Sequence, residues 1–133
     1  MPTPTHTPDE ATAIATIERW LEGFNARDAE IQVDTFNFPH VRLAGGRFAI
    51  IEDANELRGQ NEAGSARLAA EGWAYTTLES VTPVQSGPGK VHVAVHYARR
   101  RADGTAYNEF DSLWIVTNQD GHWGVQFRSS YLE

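Results

Sequence analysis

Cysteine is absent from the 133 residues. That excludes disulfides, thiolate nucleophiles and cysteine-held zinc or iron–sulfur centres, and it fits a reducing, cytoplasmic setting. Long apolar runs are missing too: no stretch approaches the roughly 18 residues a spanning helix needs. Met1 to Thr7 is rich in Pro and Thr and lacks the cationic and apolar blocks of a signal peptide. We read residues 1–7 as a disordered tail and 8–133 as a single domain. Positive charge is scarce. The formal net charge is −7 and the pI about 5.1, which argues against nucleic acid and anionic membranes as partners. The basic run Arg99-Arg100-Arg101 precedes the turn Ala102-Asp103-Gly104 and reads as a solvated strand end. A Gly-rich phosphate loop and a Ser–His–acid spacing are both missing. His92 and His96 share a strand face but stand roughly 13 Å apart along it, too far for both to hold one metal. No metal and no cofactor are therefore expected.

What is present is an ordinary globular composition, 41% hydrophobic and 22% charged, with clear punctuation. Thr7-Pro8-Asp9-Glu10 carries an N-cap, a first-turn proline and the acid of a capping box. Ile14, Ile17, Trp20, Leu21 and Phe24 follow at helical spacing. Asn25-Ala26-Arg27-Asp28 interrupts the helix, and Asp28 caps a short second one that turns Ile31, Thr35 and Phe36 inward. A strand from His40 to Leu43, a turn at Ala44-Gly45-Gly46 and a strand from Arg47 to Ile51 make a hairpin. Asp53 and Glu56 start a third helix, which runs to about Ala70, is weakened by Gly59 and Gly64, and stops at Gly72. Four strands follow, from Trp73 to Val84, Lys90 to Arg101, Thr105 to Thr117 and His122 to Leu132. Their short turns imply an antiparallel meander. Helices gathered on one side of a curved antiparallel sheet make an α+β architecture with a conical interior, a common place for a small-molecule pocket.

Alternation along the first strand puts His40 and Arg42 on one side and Val41 and Leu43 on the other. That polar side faces either water or a cavity. In water or packed on nearby groups, His40 bonds to backbone and Arg42 pairs with an acid such as Glu109 or Asp111. In a cavity, the imidazole can act as acid or base near neutral pH and the guanidinium can hold a carboxylate or an enolate oxygen. The aromatic set Trp20, Phe24, Phe36, Phe38, Phe48, Trp73 and Trp114 is either ordinary core or the lining of such a pocket.

Three stretches resemble the NTF2-like superfamily, the cystatin-like α+β barrel. They are Arg19 to Asp28 with its Asn-x-x-Asp break, Phe36 to Gly46, and the closing hairpin of Leu113 to Thr117 with Gly121 to Val125. The resemblance spans Pro8 to Leu132 and implies a cone of three N-terminal helices and a short hairpin packed on the curved antiparallel sheet. It points toward the SnoaL-like and ketosteroid-isomerase-like branches, and the superfamily includes isomerases, dehydratases, polyketide cyclases and non-catalytic binders. The isomerase pattern of a tyrosine, a basic aspartate and a protonated aspartate falls on Trp20, on Ala44 and on Asp111 or Ser112, so two of the three parts are missing. A cyclase would need Asp111 to face inward. By the same resemblance, the side of the first strand carrying Ala44, and with it His40 and Arg42, faces the cavity. Ser112, Trp114 and Val116 of the penultimate strand face it as well. In the last strand, Trp123, Val125, Phe127, Ser129 and Tyr131 read as the inner set, and His122, Gln126, Arg128 and Ser130 as the outer.

The expectation is a protein that binds a small apolar or carboxylate-bearing molecule. His40 and Arg42 are the candidate acid–base and anion-holding pair. Trp20, Phe36, Phe48, Ser112, Trp114, Phe127, Ser129 and Tyr131 form the candidate pocket. Its chemistry would be cofactor-independent isomerisation, lysis or cyclisation; the alternative is a non-catalytic dimeric module for a metabolite or partner domain. Leu113 and Ile115 leave an apolar stripe on the outer sheet face, through which a homodimer is expected.

Overall fold

A computed structural model describes residues 5–132. The tail expected over residues 1–7 lies, for its first four residues, outside the described residues. Thr7 caps helix α1 (Pro8–Asn25): its hydroxyl accepts from the Glu10 amide at 3.2 Å while the Glu10 carboxylate accepts from the Thr7 amide at 2.8 Å. Asp28 caps α2 (Ala29–Asp34) by accepting from the amides of Glu30 and Ile31. Asp53 caps α3 (Ala54–Glu71), which Gly72 ends at φ +80°. None of the described helices is long and apolar enough to cross a membrane.

The strands are β1 (Phe36–Ala44), β2 (Arg47–Ile51), β3 (Tyr75–Gly87), β4 (Lys90–Arg100), β5 (Ala106–Gln119) and β6 (His122–Ser130). They form one sheet in the order β2-β1-β6-β5-β4-β3. The expected meander β3 to β6 is antiparallel throughout, but the sheet as a whole is mixed, because β1 runs parallel to β6. This pairing brings the N-terminal hairpin onto the sheet edge. It also draws Phe36, expected at the end of α2, into β1, which begins four residues earlier than its local pattern indicates. Two devices fix the junction. Gly124 lets the strands approach so closely that a Cβ there would lie 2.5 Å from the Phe36 carbonyl carbon. The buried Asn37 amide donates to Thr117 O, Thr117 Oγ1 and His122 O.

The core lies between α1 and the concave sheet face. Ile17, Val91, Val93, Val116 and Val125 are fully buried there, each side chain contributing roughly 1.5–3 kcal/mol. Helix α3 behaves differently. It buries only Leu57 and Leu68 and stands away from the sheet, and the space between them is a cavity.

Candidate functional site

The cavity measures about 650 Å³. Its floor is aromatic. Trp20 of α1 meets Trp114 of β5 edge-on at 4.8 Å between ring centroids, and Tyr97 of β4 lies 5.5 Å from Trp114. Its walls are cationic. Six of the chain's ten arginines line it (Arg27, Arg42, Arg47, Arg67, Arg99 and Arg128), and Glu71 is the single lining carboxylate among the described residues. Glu71 is already engaged: it accepts from Arg99 at 3.2 Å and from the Tyr107 hydroxyl at 3.1 Å. Arg27 is held by neutral oxygens of Ser65, Phe24 and Asn61. The polar face of α3 explains its weak amphipathic pattern: Gln60, Asn61 and Arg67 point to the cavity where an ordinary helix would carry apolar residues.

Arg128 is the central charge. Its guanidinium lies 5.0 Å from the Phe36 ring centre, 5.6 Å from Trp114 and 5.9 Å from Trp20, an aromatic cage for a cation. Its Nε donates to His40 Nε2 at 2.9 Å. Burial, followed by the neighbouring Arg42 charge, pulls Arg128 down to about 9, so it remains cationic at neutral pH. Arg42 is also lowered, first by burial and then by Arg99 and Arg67. Neither Arg42 nor Arg128 has a carboxylate partner among the described residues.

The two candidates from the first strand part company here. Arg42 lines the cavity; His40 does not. The imidazole has no accessible surface, stacks on Phe36 at 4.0 Å and is bonded at both nitrogens, Nδ1 donating to Val125 O at 2.9 Å and Nε2 accepting from Arg128. Burial and the Arg128 charge lower it to about 2. A group so enclosed is neutral, keeps one tautomer and reaches no ligand. Its place is behind Arg128, which it orients. Glu109 and Asp111, the acids considered as partners for Arg42, lie on the outer face and flank His96 at 3.2 and 2.8 Å.

Trp20, Phe36, Ser112 and Trp114 lie at the cavity, the last two joined in a chain in which Trp114 Nε1 donates to Ser112 Oγ and Ser112 Oγ to Ser129 O. Four other expected pocket residues are elsewhere. Phe48 is 65% exposed, because the two-residue turn Gly45-Gly46 pairs it with Leu43 on the outer face. Phe127, Ser129 and Tyr131 are turned away by a bulge. Val125 pairs with Val116 but Phe127 pairs with Ile115, so Gln126 is an extra residue and the alternation inverts beyond it. Arg128 and Ser130, expected outside, thereby face in; Tyr131 is 80% exposed beyond the strand end. Arg99, read as part of a solvated run, also faces in; its shared parity with Val91 to Tyr97 is the signal that places it there. Phe24 lines the cavity; Trp73 packs on Phe24 and Phe38 on Phe36, and neither lines it.

Three helices against the concave face of a six-stranded sheet, with a cavity between them, define an NTF2-like α+β cone. The chain belongs to the family described as NTF2-like protein (DUF6841), whose model matches residues 9–128. No curated protein matches it. Among solved structures it is similar to a protein of unknown function with a cystatin-like fold from Nostoc punctiforme, at 13% identity and TM-score 0.76 over 98% of this chain and 96% of that one. An NTF2-like protein from Novosphingobium aromaticivorans is 18% identical at TM-score 0.73, over 93% and 82%. A ketosteroid isomerase-like protein from Erwinia carotovora is 16% identical at TM-score 0.66, over 95% and 97%. At these identities the likeness is one of fold.

Proposed function

We propose that this protein is a non-catalytic binder whose cavity receives a small, flat organic molecule without a cofactor. The observation that carries this reading is the cavity of about 650 Å³ floored by Trp20, Tyr97 and Trp114, a size and lining suited to a ring-bearing ligand. Isomerase, lyase or cyclase chemistry is the competing reading, supported by the fold shared with the ketosteroid isomerase-like structure. It has less to stand on. His40 is sealed from the cavity, Ala44 supplies no carboxyl, and Asp111 points outward beside His96. Glu71, the lining acid, is committed to Arg99 and Tyr107. A homodimer through the outer sheet face, in a cytoplasmic setting, belongs to the same proposal. Native mass spectrometry of the purified protein tests the binding reading. A retained small mass, or a rise in melting temperature with flat aromatic compounds, is the expected result. Neither a retained mass nor any stabilisation across such a set would sink it.

A further inference from the structure

The cavity floor has more hydrogen-bond donors than acceptors. Arg42 has no hydrogen-bonded partner among the described residues, and Arg128 has one, the neutral His40 ring. Two further donors on the floor, Trp20 Nε1 and the Tyr97 hydroxyl, are buried with no partner at all, in residues only 6% and 2% exposed. Burial holds the Tyr97 phenol well above its ordinary range, so it stays a protonated donor. Buried donors are nearly always satisfied, and each that is not costs stability. Arg42 on β1 and Arg128 on β6 are cross-strand neighbours, and after burial the Arg42 charge lowers Arg128 while Arg99 and Arg67 lower Arg42; crowding these cations adds a further cost, which one anion between Arg42 and Arg128 removes. All four groups line the one cavity, where Arg128 lies over Trp20 and its charge acts on Tyr97.

We propose that the missing acceptor is the carboxylate of the ligand, received between Arg42 and Arg128 with the ring system of the ligand lying on Trp20 and Trp114. A carboxylate suits this pair because a guanidinium fork presents parallel N–H donors to its two oxygens. A neutral ligand would leave both charges uncompensated. Of the remaining lining arginines Arg99 is balanced by Glu71, but Arg27, Arg47 and Arg67 have no carboxylate partner among the described residues and make the cavity positive in a chain whose net charge is −7, which concentrates an organic anion there.

The inference rests on the binding reading above, and one comparison separates the two. Calorimetric titration with 2-naphthoate and with its uncharged isostere 2-naphthamide is the experiment, on the full chain. The expected result is naphthoate binding at least ~10-fold tighter than naphthamide, the scale of a charge-assisted hydrogen-bonded pair. Arg42→Gln is expected to weaken naphthoate ~10-fold and naphthamide by clearly less, because the amide loses a neutral and not a charge-assisted hydrogen bond. Arg128→Met repeats the test from the buried side, with circular dichroism to confirm folding. Equal binding of acid and amide keeps the binding reading and overturns the carboxylate assignment. Tighter naphthoate binding that neither variant disturbs also overturns it, since the anion would then sit elsewhere. Binding of neither compound overturns the carboxylate assignment, and if no mass is retained and no flat compound of the wider set stabilises the protein, the binding reading falls with it.

Discussion

His40 is a histidine with both ring nitrogens bonded and no contact with solvent. Its proton affinity falls to about 2 in the fold, against about 6.5 for an ordinary histidine. Above pH 6.5 neither state carries the proton, and the site contributes its full stability. As the pH falls below that, the unfolded chain takes up a proton that the folded chain refuses, and stability drops toward pH 2. The limiting slope is about 1.4 kcal/mol per pH unit. His96 acts in the opposite sense: raised by Asp111 and Glu109, it favours the fold at acid pH and ceases to do so as the pH rises through its elevated value. Urea unfolding at about pH 7.5 and about pH 5, either side of the ordinary histidine range, sums these opposed effects, and the difference between the wild type and a His40 variant reads His40. The wild type is expected to lose stability on acidification, and His40→Gln, which keeps a hydrogen-bonding group, to lose markedly less. Identical losses would mean that the imidazole is charged in the fold.

At the scale of elements, the site depends on how β6 is seated. Gly124 closes β6 onto β1, and the extra residue at Gln126 rotates the remainder of the strand, so that Arg128 enters the cavity and Phe127 leaves it. Gly124→Ala is expected to cost about 1–3 kcal/mol, the usual penalty for overpacking, because the obstructing atoms are backbone. Gly59 is the control. It lies within α3, where an added methyl would meet nothing within 4 Å, and Gly59→Ala is expected to add about 0.5–1 kcal/mol through helix propensity. Chemical denaturation of the two variants should move the midpoint in opposite directions. A tolerated Gly124→Ala would show that the β1–β6 approach is slack. The caps at Thr7, Asp28 and Asp53 and the turn at Gly45-Gly46 are legible in the sequence because each is a local device, complete within about four residues. The parallel β1–β6 pairing is not, since its partners stand far apart in the chain.

At the scale of the whole molecule, two faces of one sheet carry opposite chemistry. The concave face meets α1 and the arginine-lined cavity. On the convex face Ile50, Val41, Phe127 and Ile115 are cross-strand neighbours in succession, with Phe48, Leu43, Ser129 and Leu113 in the adjacent row. Phe48 and Ile50 remain 65% and 48% exposed, and an apolar band of this extent is suited to a second copy of the same chain. The bulge that expels Phe127 and the turn that expels Phe48 thus extend the apolar stripe of Leu113 and Ile115. Light scattering at micromolar concentration is expected to give twice the chain mass, and Ile115→Lys to give a monomer. A monomeric wild type would count against the outer-face dimer.

By itself the sequence determined the helices, the hairpin, the meander and hence the cone, because capping, periodicity and turn chemistry act over a few residues. Helical spacing turned Trp20 inward, and strand parity read through the family resemblance did the same for Arg42, Ser112 and Trp114; Phe36 was turned inward as part of α2, not of the strand to which it belongs. Tertiary structure decided the rest. One inserted residue in β6 exchanged Phe127 for Arg128, and the stacking of Phe36 over His40 closed an imidazole away from the cavity that Arg42 still faces. Neither event leaves a local trace: a bulge is set by the partner strand, and enclosure depends on what packs above.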